Sequence, residues 1–138
     1  MTESAMPPIP PDTGLLLFAH GARDPNWARP FEAVAARCRA QRGDDRVVLA
    51  FLEFMQPGLV AGGDRLVAAG CTAVDVVPLF LGAGGHVRKD LPLLLAQLAQ
   101  AHPAVRFTLR PAVGEADALV AAMAEVALDV SRPAVAWT

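Results

Sequence analysis

The sequence predicts an α/β domain built on a four-stranded parallel sheet with helices on both faces. Four short apolar runs, at 14–20, 46–54, 73–81 and 104–109, alternate with four segments of helical periodicity. The runs are nearly continuous in apolar residues, as strands buried on both faces are. Each connection is long enough to hold a helix, so successive strands run parallel with right-handed crossovers.

The first run, "GLLLFAH" (14–20), is bounded by turn residues and ends on His20. In "RPFEAVAARCRAQ" (29–41), Phe31, Val34, Ala35 and Cys38 fall at i, i+3, i+4 and i+7, with Glu32, Arg37 and Arg39 facing out. Asp24 and Pro25 read as an N-cap and a first helical proline. Pro30 then either kinks the helix or marks the start of its regular part. "RVVLAFLEF" (46–54) is the second strand, with Glu53 near its end. "QPGLVAGGDRLVAAG" (56–70) reads as a helix opened by Pro57 and closed by Gly70, in which Gly62 and Gly63 permit a close packing contact. "AVDVVPLFL" (73–81) is the third strand, with Pro78 at its exit because proline cannot donate to a ladder. "LGAGGH" (81–86) is a glycine-rich loop. "DLPLLLAQLAQ" (90–100) is a helix capped by Asp90, with Leu91, Leu94, Leu95 and Leu98 on one face. "AVRFTL" (104–109) is the fourth strand and "EADALVAAMAEVALDV" (115–130) the last helix.

With 138 residues, the chain has room for one domain, expected over 14–130. At 54% hydrophobic and 19% charged, it is globular in composition. A net charge of -2 argues against duplex nucleic acid as a partner, since that favours a basic surface. Two distant cysteines, Cys38 and Cys71, exclude a disulfide framework and a four-cysteine zinc site. Cys38 belongs to a core-facing stripe. Residues 1–13, with four prolines and no basic residue, do not resemble a signal peptide, and no run approaches a membrane span. A flexible tail over 1–13 and a cytoplasmic protein are expected. The tail 131–138 is either a short edge strand or a cover for a dimer contact.

In open parallel sheets, ligands bind beyond the carboxyl ends of the strands, near a switch in strand order. Three groups able to hold a divalent metal or move a proton lie there: His20 after the first run, Glu53 at the end of the second and His86 after the third. A flavodoxin-like order of 2-1-3-4 puts His20 between the other two. Each alone has an ordinary structural reading, as a turn residue or a solvated side chain; their coincidence carries the functional one. His102, beside Pro103 at a helix end, reads as a surface residue. "GAGGH" is not a dinucleotide loop, because Val87 stands where GxGxxG needs glycine, and neither GxxxxGK[ST] nor GxSxG occurs. No nucleotide is expected.

"LLLFAHGARDP", "AFLEFMQPGL" and "VVPLFLGAGGHVRKDLP" resemble the small sirohydrochlorin cobaltochelatase/ferrochelatase family, the short forms of the class II tetrapyrrole chelatases. The resemblance covers roughly 14–130 and implies a chelatase-like half domain. His20 and His86 match the family's two active-site histidines, and Glu53 an acidic position that some members use. Ala22 stands where the family often has serine after "HG". The histidine-rich stretch and the iron–sulfur cysteines of longer relatives are absent, so no iron–sulfur cluster is expected. The implied activity is ATP-independent insertion of cobalt, iron or nickel into sirohydrochlorin or a related tetrapyrrole, a lyase reaction serving cobalamin or siroheme biosynthesis. Longer relatives resemble two such domains fused, so the resemblance implies a homodimer.

That chemistry agrees with the residues. Two imidazoles and a carboxylate form an open shell of nitrogen and oxygen donors, suited to Co(II), Fe(II) or Ni(II) as substrate and unlike a closed structural zinc site. Neutral imidazole, with an ordinary pKa of about 6.5, can accept the pyrrole protons that metal insertion displaces. Arg23, Arg88 and Lys89 offer local positive charge to a carboxylate-rich macrocycle, or are solvated surface charges. Phe80 and Leu81 either wall a pocket for the macrocycle, beside Gly84 and Gly85, or fill the core. Two other functions fit the same residues: a metal or tetrapyrrole carrier without turnover, and a flavodoxin-like binding module.

Overall fold

The computed structural model describes residues 9–82 and 84–133, and at Gly85 and His86 the backbone only. Its elements, in chain order, are β1 (Thr13–Ala19), α1 (Arg29–Arg42), β2 (Val47–Phe51), α2 (Leu59–Ala68), β3 (Ala73–Pro78), α3 (Gly85–Ala101), β4 (Arg106–Leu109) and α4 (Asp117–Val130). The sheet is parallel throughout, in the order β2-β1-β3-β4. The expected architecture and strand order are therefore those observed. Among the described residues, no helix is long and apolar enough to cross a membrane. Most of the expected N-terminal tail and the last five residues of the C-terminal one lie outside the described residues.

After Thr13, β1 carries no polar side chain, because it lies between β2 and β3 and is covered on both sides. Leu16 and Phe18 face a core with Leu66, Val76 and Leu98; Leu17 and Ala19 face another with Ala35, Val47 and Leu49. α1 covers the second side, and α2 and α3 the first. Gly62 and Gly63 make the close contact expected of them. A Cβ at Gly62 would lie 3.0 Å from Leu16 Cδ1, and one at Gly63 would lie 2.6 Å from Leu98 Cδ2. At the amino edge, Thr72 donates to the Asp12 carboxylate, which holds that carboxyl below the usual range.

Several boundaries differ from expectation. Asp24 caps a 3-10 turn over Pro25–Ala28, accepting from the Asn26 N–H at 2.9 Å, and the regular helix starts at Arg29 with Pro30 in its first turn. This resolves the choice posed by Pro30 in favour of a start. Val34 is exposed, so the apolar stripe of α1 is narrower than its spacing implied. α2 begins after Gly58, two residues beyond Pro57, because the Phe51 N–H donates to the Pro57 carbonyl and keeps that residue with the strand. β2 stops at Phe51, leaving Glu53 in the loop beyond it.

The largest difference is in α3, which starts at Gly85, ahead of Asp90, and contains Pro92. Asp90 is thus inside the helix and Gly84 is its N-cap. The cause is Val87, which is buried four residues before buried Leu91 and carries the stripe through to Leu98. That burial outweighs the hydrogen bond lost at Pro92. The expected glycine loop is correspondingly shorter, and His86 stands in the first turn of a helix.

α4 begins after a 3-10 turn over Val113–Glu115, and apart from Leu119 its residues are exposed. It does not cover the α1 side of β3 and β4. That face carries Asp75, Thr108 and Arg110, and Arg110 Nε and Nη2 both donate to Asp75 Oδ1 at 2.9 Å. An apolar helix face would bury these polar groups at a cost.

Candidate active site

The site at the carboxyl edge is set by backbone pairing that runs past the ends of β1 and β2. The Leu52 N–H donates to the Ala19 carbonyl at 2.9 Å, and the Glu53 N–H to the His20 carbonyl at 3.1 Å. Gly21 has a φ of +92°, and a Cβ there would lie 1.9 Å from the Glu53 carbonyl oxygen. Only glycine lets the two loops come this close. The consequence is a side-chain pair: His20 Nδ1 stands 3.9 Å from Glu53 Oε2, and both side chains are 50% exposed. That separation exceeds a hydrogen bond, so the two groups are neighbours with room for a third atom or a proton.

Below them lies Phe80. Its ring is buried in the core, edge-on to Phe18 at 5.8 Å, and tilted against the His20 imidazole at 5.7 Å. Phe80 thus both fills the core and supports His20. Leu81, by contrast, is exposed. Both border a cavity of about 540 Å³ that also involves Val87, Arg88, Leu109 and Arg110. Its size is that of a small-molecule site, and its wall is apolar with a few charged groups. Gly114 holds the Leu81 loop against it, since its N–H donates to the Phe80 carbonyl at 2.9 Å and a Cβ there would meet Leu81 O at 1.9 Å. A Cβ at Gly82 or Gly84 would meet nothing within 4 Å, so these glycines leave open space.

The structure therefore brings His20, Glu53 and Phe80 together, with Arg88 and Leu81 at the adjoining cavity. His86 is placed by its backbone in the first turn of α3, beyond the end of β3; its side chain lies outside the described residues. Arg23 is exposed, with its Cζ 4.8 Å over the ring of Phe54. Lys89 is exposed on α3. His102 stands apart: its Nε2 shares a 2.7 Å hydrogen bond with Asp64 Oδ1 and ties the end of α3 to α2. Among the described residues, no group of three or more His, Cys, Asp or Glu side chains is placed to hold a metal ion. Phe54, Arg110 and Gly114 also stand at this edge and were not among the expected site residues. Proximity of "RP" to the end of the fourth strand was a usable signal for Arg110; the other two carry none.

A family model described as CbiX matches residues 14–130. The chain belongs to the CbiX family. Among similar solved structures is a putative cobalamin (vitamin B12) biosynthesis CbiX protein from Marinobacter aquaeolei VT8. It has a TM-score of 0.75 and 30% identity over 86% of this chain and 96% of that one. The sirohydrochlorin chelatase SirB from Bacillus subtilis subspecies spizizenii, solved in complex with cobalt, has a TM-score of 0.75 and 27% identity, over 87% of this chain and 51% of SirB. Among curated relatives, the sirohydrochlorin ferrochelatase of Bacillus subtilis is 27% identical over 86% of this chain and 46% of its own length. A sirohydrochlorin cobaltochelatase of Methanococcus maripaludis is 32% identical over 59% and 56%. The chain thus spans about half the length of the curated relatives it matches.

Proposed function

We propose that this CbiX chain is a sirohydrochlorin chelatase: it inserts a divalent metal, cobalt, iron or nickel, into sirohydrochlorin or a related tetrapyrrole, without ATP, in the cytoplasm. The observation that carries this reading is the His20–Glu53 pair, held at 3.9 Å by the backbone bonds between their two loops. Insertion of a divalent ion into the macrocycle displaces two pyrrole protons, so the site must hold the ion and accept protons. His20, half-exposed and steadied from below by Phe80, presents an imidazole that does either. Glu53 offers an oxygen donor and stabilises an imidazolium beside it. His86, at the head of α3, supplies the second imidazole; one histidine takes protons while both guide the metal. Arg88 at the cavity, with Gly84 and Gly85 beside it, and Leu81 on its rim receive the substrate.

The chain acts as a homodimer in this reading. α4 supports it: Leu119, Met123, Val126 and Val130 recur at i, i+4, i+7 and i+11, and among the described residues all of these but Leu119 are left exposed. A twofold pair is the ordinary arrangement for such a self-matching surface.

Anaerobic optical assays of metal insertion with Co(II), Fe(II) and Ni(II) test the proposal. His20→Ala and His86→Ala should each lower turnover about 10²–10⁴-fold, with circular dichroism unchanged. Glu53→Gln should have a smaller, metal-dependent effect. Wild-type rates from a folded double histidine variant would remove the mechanism. Metal binding without any product would instead identify a carrier.

A further inference from the structure

We propose that Phe54, stacked under the guanidinium of Arg23, positions the substrate: its ring is a platform for the flat macrocycle, and the stacked arginine takes one of the macrocycle's carboxylates. The proposal rests on the chelatase reading of the same edge.

Among the described residues, Phe54 is the one non-glycine residue with a positive φ, at +67°. This conformation suits glycine or asparagine and is an outlier for a bulky side chain. Packing does not explain it, because Phe54 is 56% exposed. Its stack with Arg23, Cζ 4.8 Å from the ring centroid, is an exposed cation–π contact and returns less than such strain costs. A glycine would serve the fold better, so the aromatic ring serves something else.

Its surroundings say what. The loop after β1 carries His20 and, three residues on, Arg23; the loop after β2 carries Glu53 and then Phe54. Each loop contributes one member of the His20–Glu53 pair and one member of the Arg23–Phe54 stack. The Glu53 N–H to His20 carbonyl bond fixes the two loops together. A tetrapyrrole seated over the histidine is broad enough to reach the neighbouring stack. A stacked guanidinium keeps its edge N–H donors available for a carboxylate in the bidentate manner. Among the described residues, no ion pair occupies Arg23.

The test uses the full chain as wild type, Phe54→Gly, Phe54→Trp, Arg23→Ala and the Phe54→Gly/Arg23→Ala double variant. Sirohydrochlorin binding is titrated without metal, and Co(II) insertion is followed anaerobically. Phe54→Gly removes the ring and the strain together. It should weaken tetrapyrrole binding and raise its KM about tenfold, with KM for Co(II) unchanged and thermal stability unchanged or raised. Phe54→Trp should stay within about threefold of wild type. The double variant should lose less than the product of the single losses, because the two residues act as a unit. Wild-type tetrapyrrole affinity in Phe54→Gly, or a loss confined to Co(II) KM or to thermal stability, would overturn the proposal. A wild-type chain that binds tetrapyrrole but inserts no metal removes the chelatase reading, and the binding titration still decides the role of Phe54. One that binds no tetrapyrrole overturns both.

Discussion

At Gly21 an added methyl would lie 1.9 Å from the Glu53 carbonyl oxygen, on a backbone with φ of +92°. Any side chain there strains its own residue and also pushes apart the loops that hold His20 beside Glu53. Gly43 provides the comparison, with φ of +100° and nothing within 4 Å of a Cβ. Gly43→Ala should therefore cost only the conformational strain, about 1–3 kcal/mol, and leave turnover unchanged. Gly21→Ala should cost more and lower turnover beyond its effect on stability. Urea unfolding and insertion assays on both variants check this, and wild-type turnover in Gly21→Ala would show that the close approach of the loops does not set the site. His20 and Glu53 are legible in the sequence because His20 ends an apolar run and Glu53 stands near the end of another, and strand exits are where open sheets bind. Phe54 is not legible. Turn conformations are read from glycine, asparagine and aspartate, and a phenylalanine with positive φ breaks that code.

The strands are legible for the same reason that the sheet is stable: residues buried on both faces leave unbroken apolar runs. α3 is where element-scale reading fails. Gly84 and Gly85 look like loop, and Asp90 ahead of Pro92 imitates a capped helix start. The helical stripe from Val87 to Leu91 decides the matter, but two residues are too few to outvote those signals without the core they pack into. The glycines of α2 are legible as a close contact, and the partner is now named. A Cβ at Gly63 would lie 2.6 Å and 2.8 Å from the two terminal carbons of Leu98, which is fully buried and has nowhere to swing. Overpacking should make Gly63→Ala destabilising by about 1–3 kcal/mol despite alanine's better helix propensity. Leu98→Ala should cost about 2–5 kcal/mol through the cavity it leaves. In the double variant the new methyl occupies part of that cavity, so the two costs should sum to more than the measured loss. Chemical denaturation of all three variants tests the coupling, and simple additivity would mean that Gly63 and Leu98 do not constrain each other.

At the scale of the whole molecule, α4 is the element that the described residues of a single copy leave largely exposed. Its 14 residues are about the length at which an isolated helix is marginal in water. Half-buried Leu119 and exposed Met123, Val126 and Val130 form its apolar stripe, while Leu128 lies on the opposite side and is also exposed. Burying a side chain of this size removes on the order of 100 Å² from water. Two such stripes packed together thus cover only a few hundred Å² per protomer, against about 800 Å² for a standard interface. A stable pair must recruit more surface, and Leu93 and Val120 are exposed to supply part of it. Met123→Lys with Val126→Asp should convert the proposed dimer to monomer in sedimentation at micromolar concentration. Leu128→Ser, one face away, should leave it intact. Because α4 then loses the surface that stabilises it, the monomeric variant should also show less helical circular dichroism, with the sheet and its cores retained. A wild-type chain that sediments as a monomer while inserting metal at full rate would mean that α4 serves neither association nor the reaction.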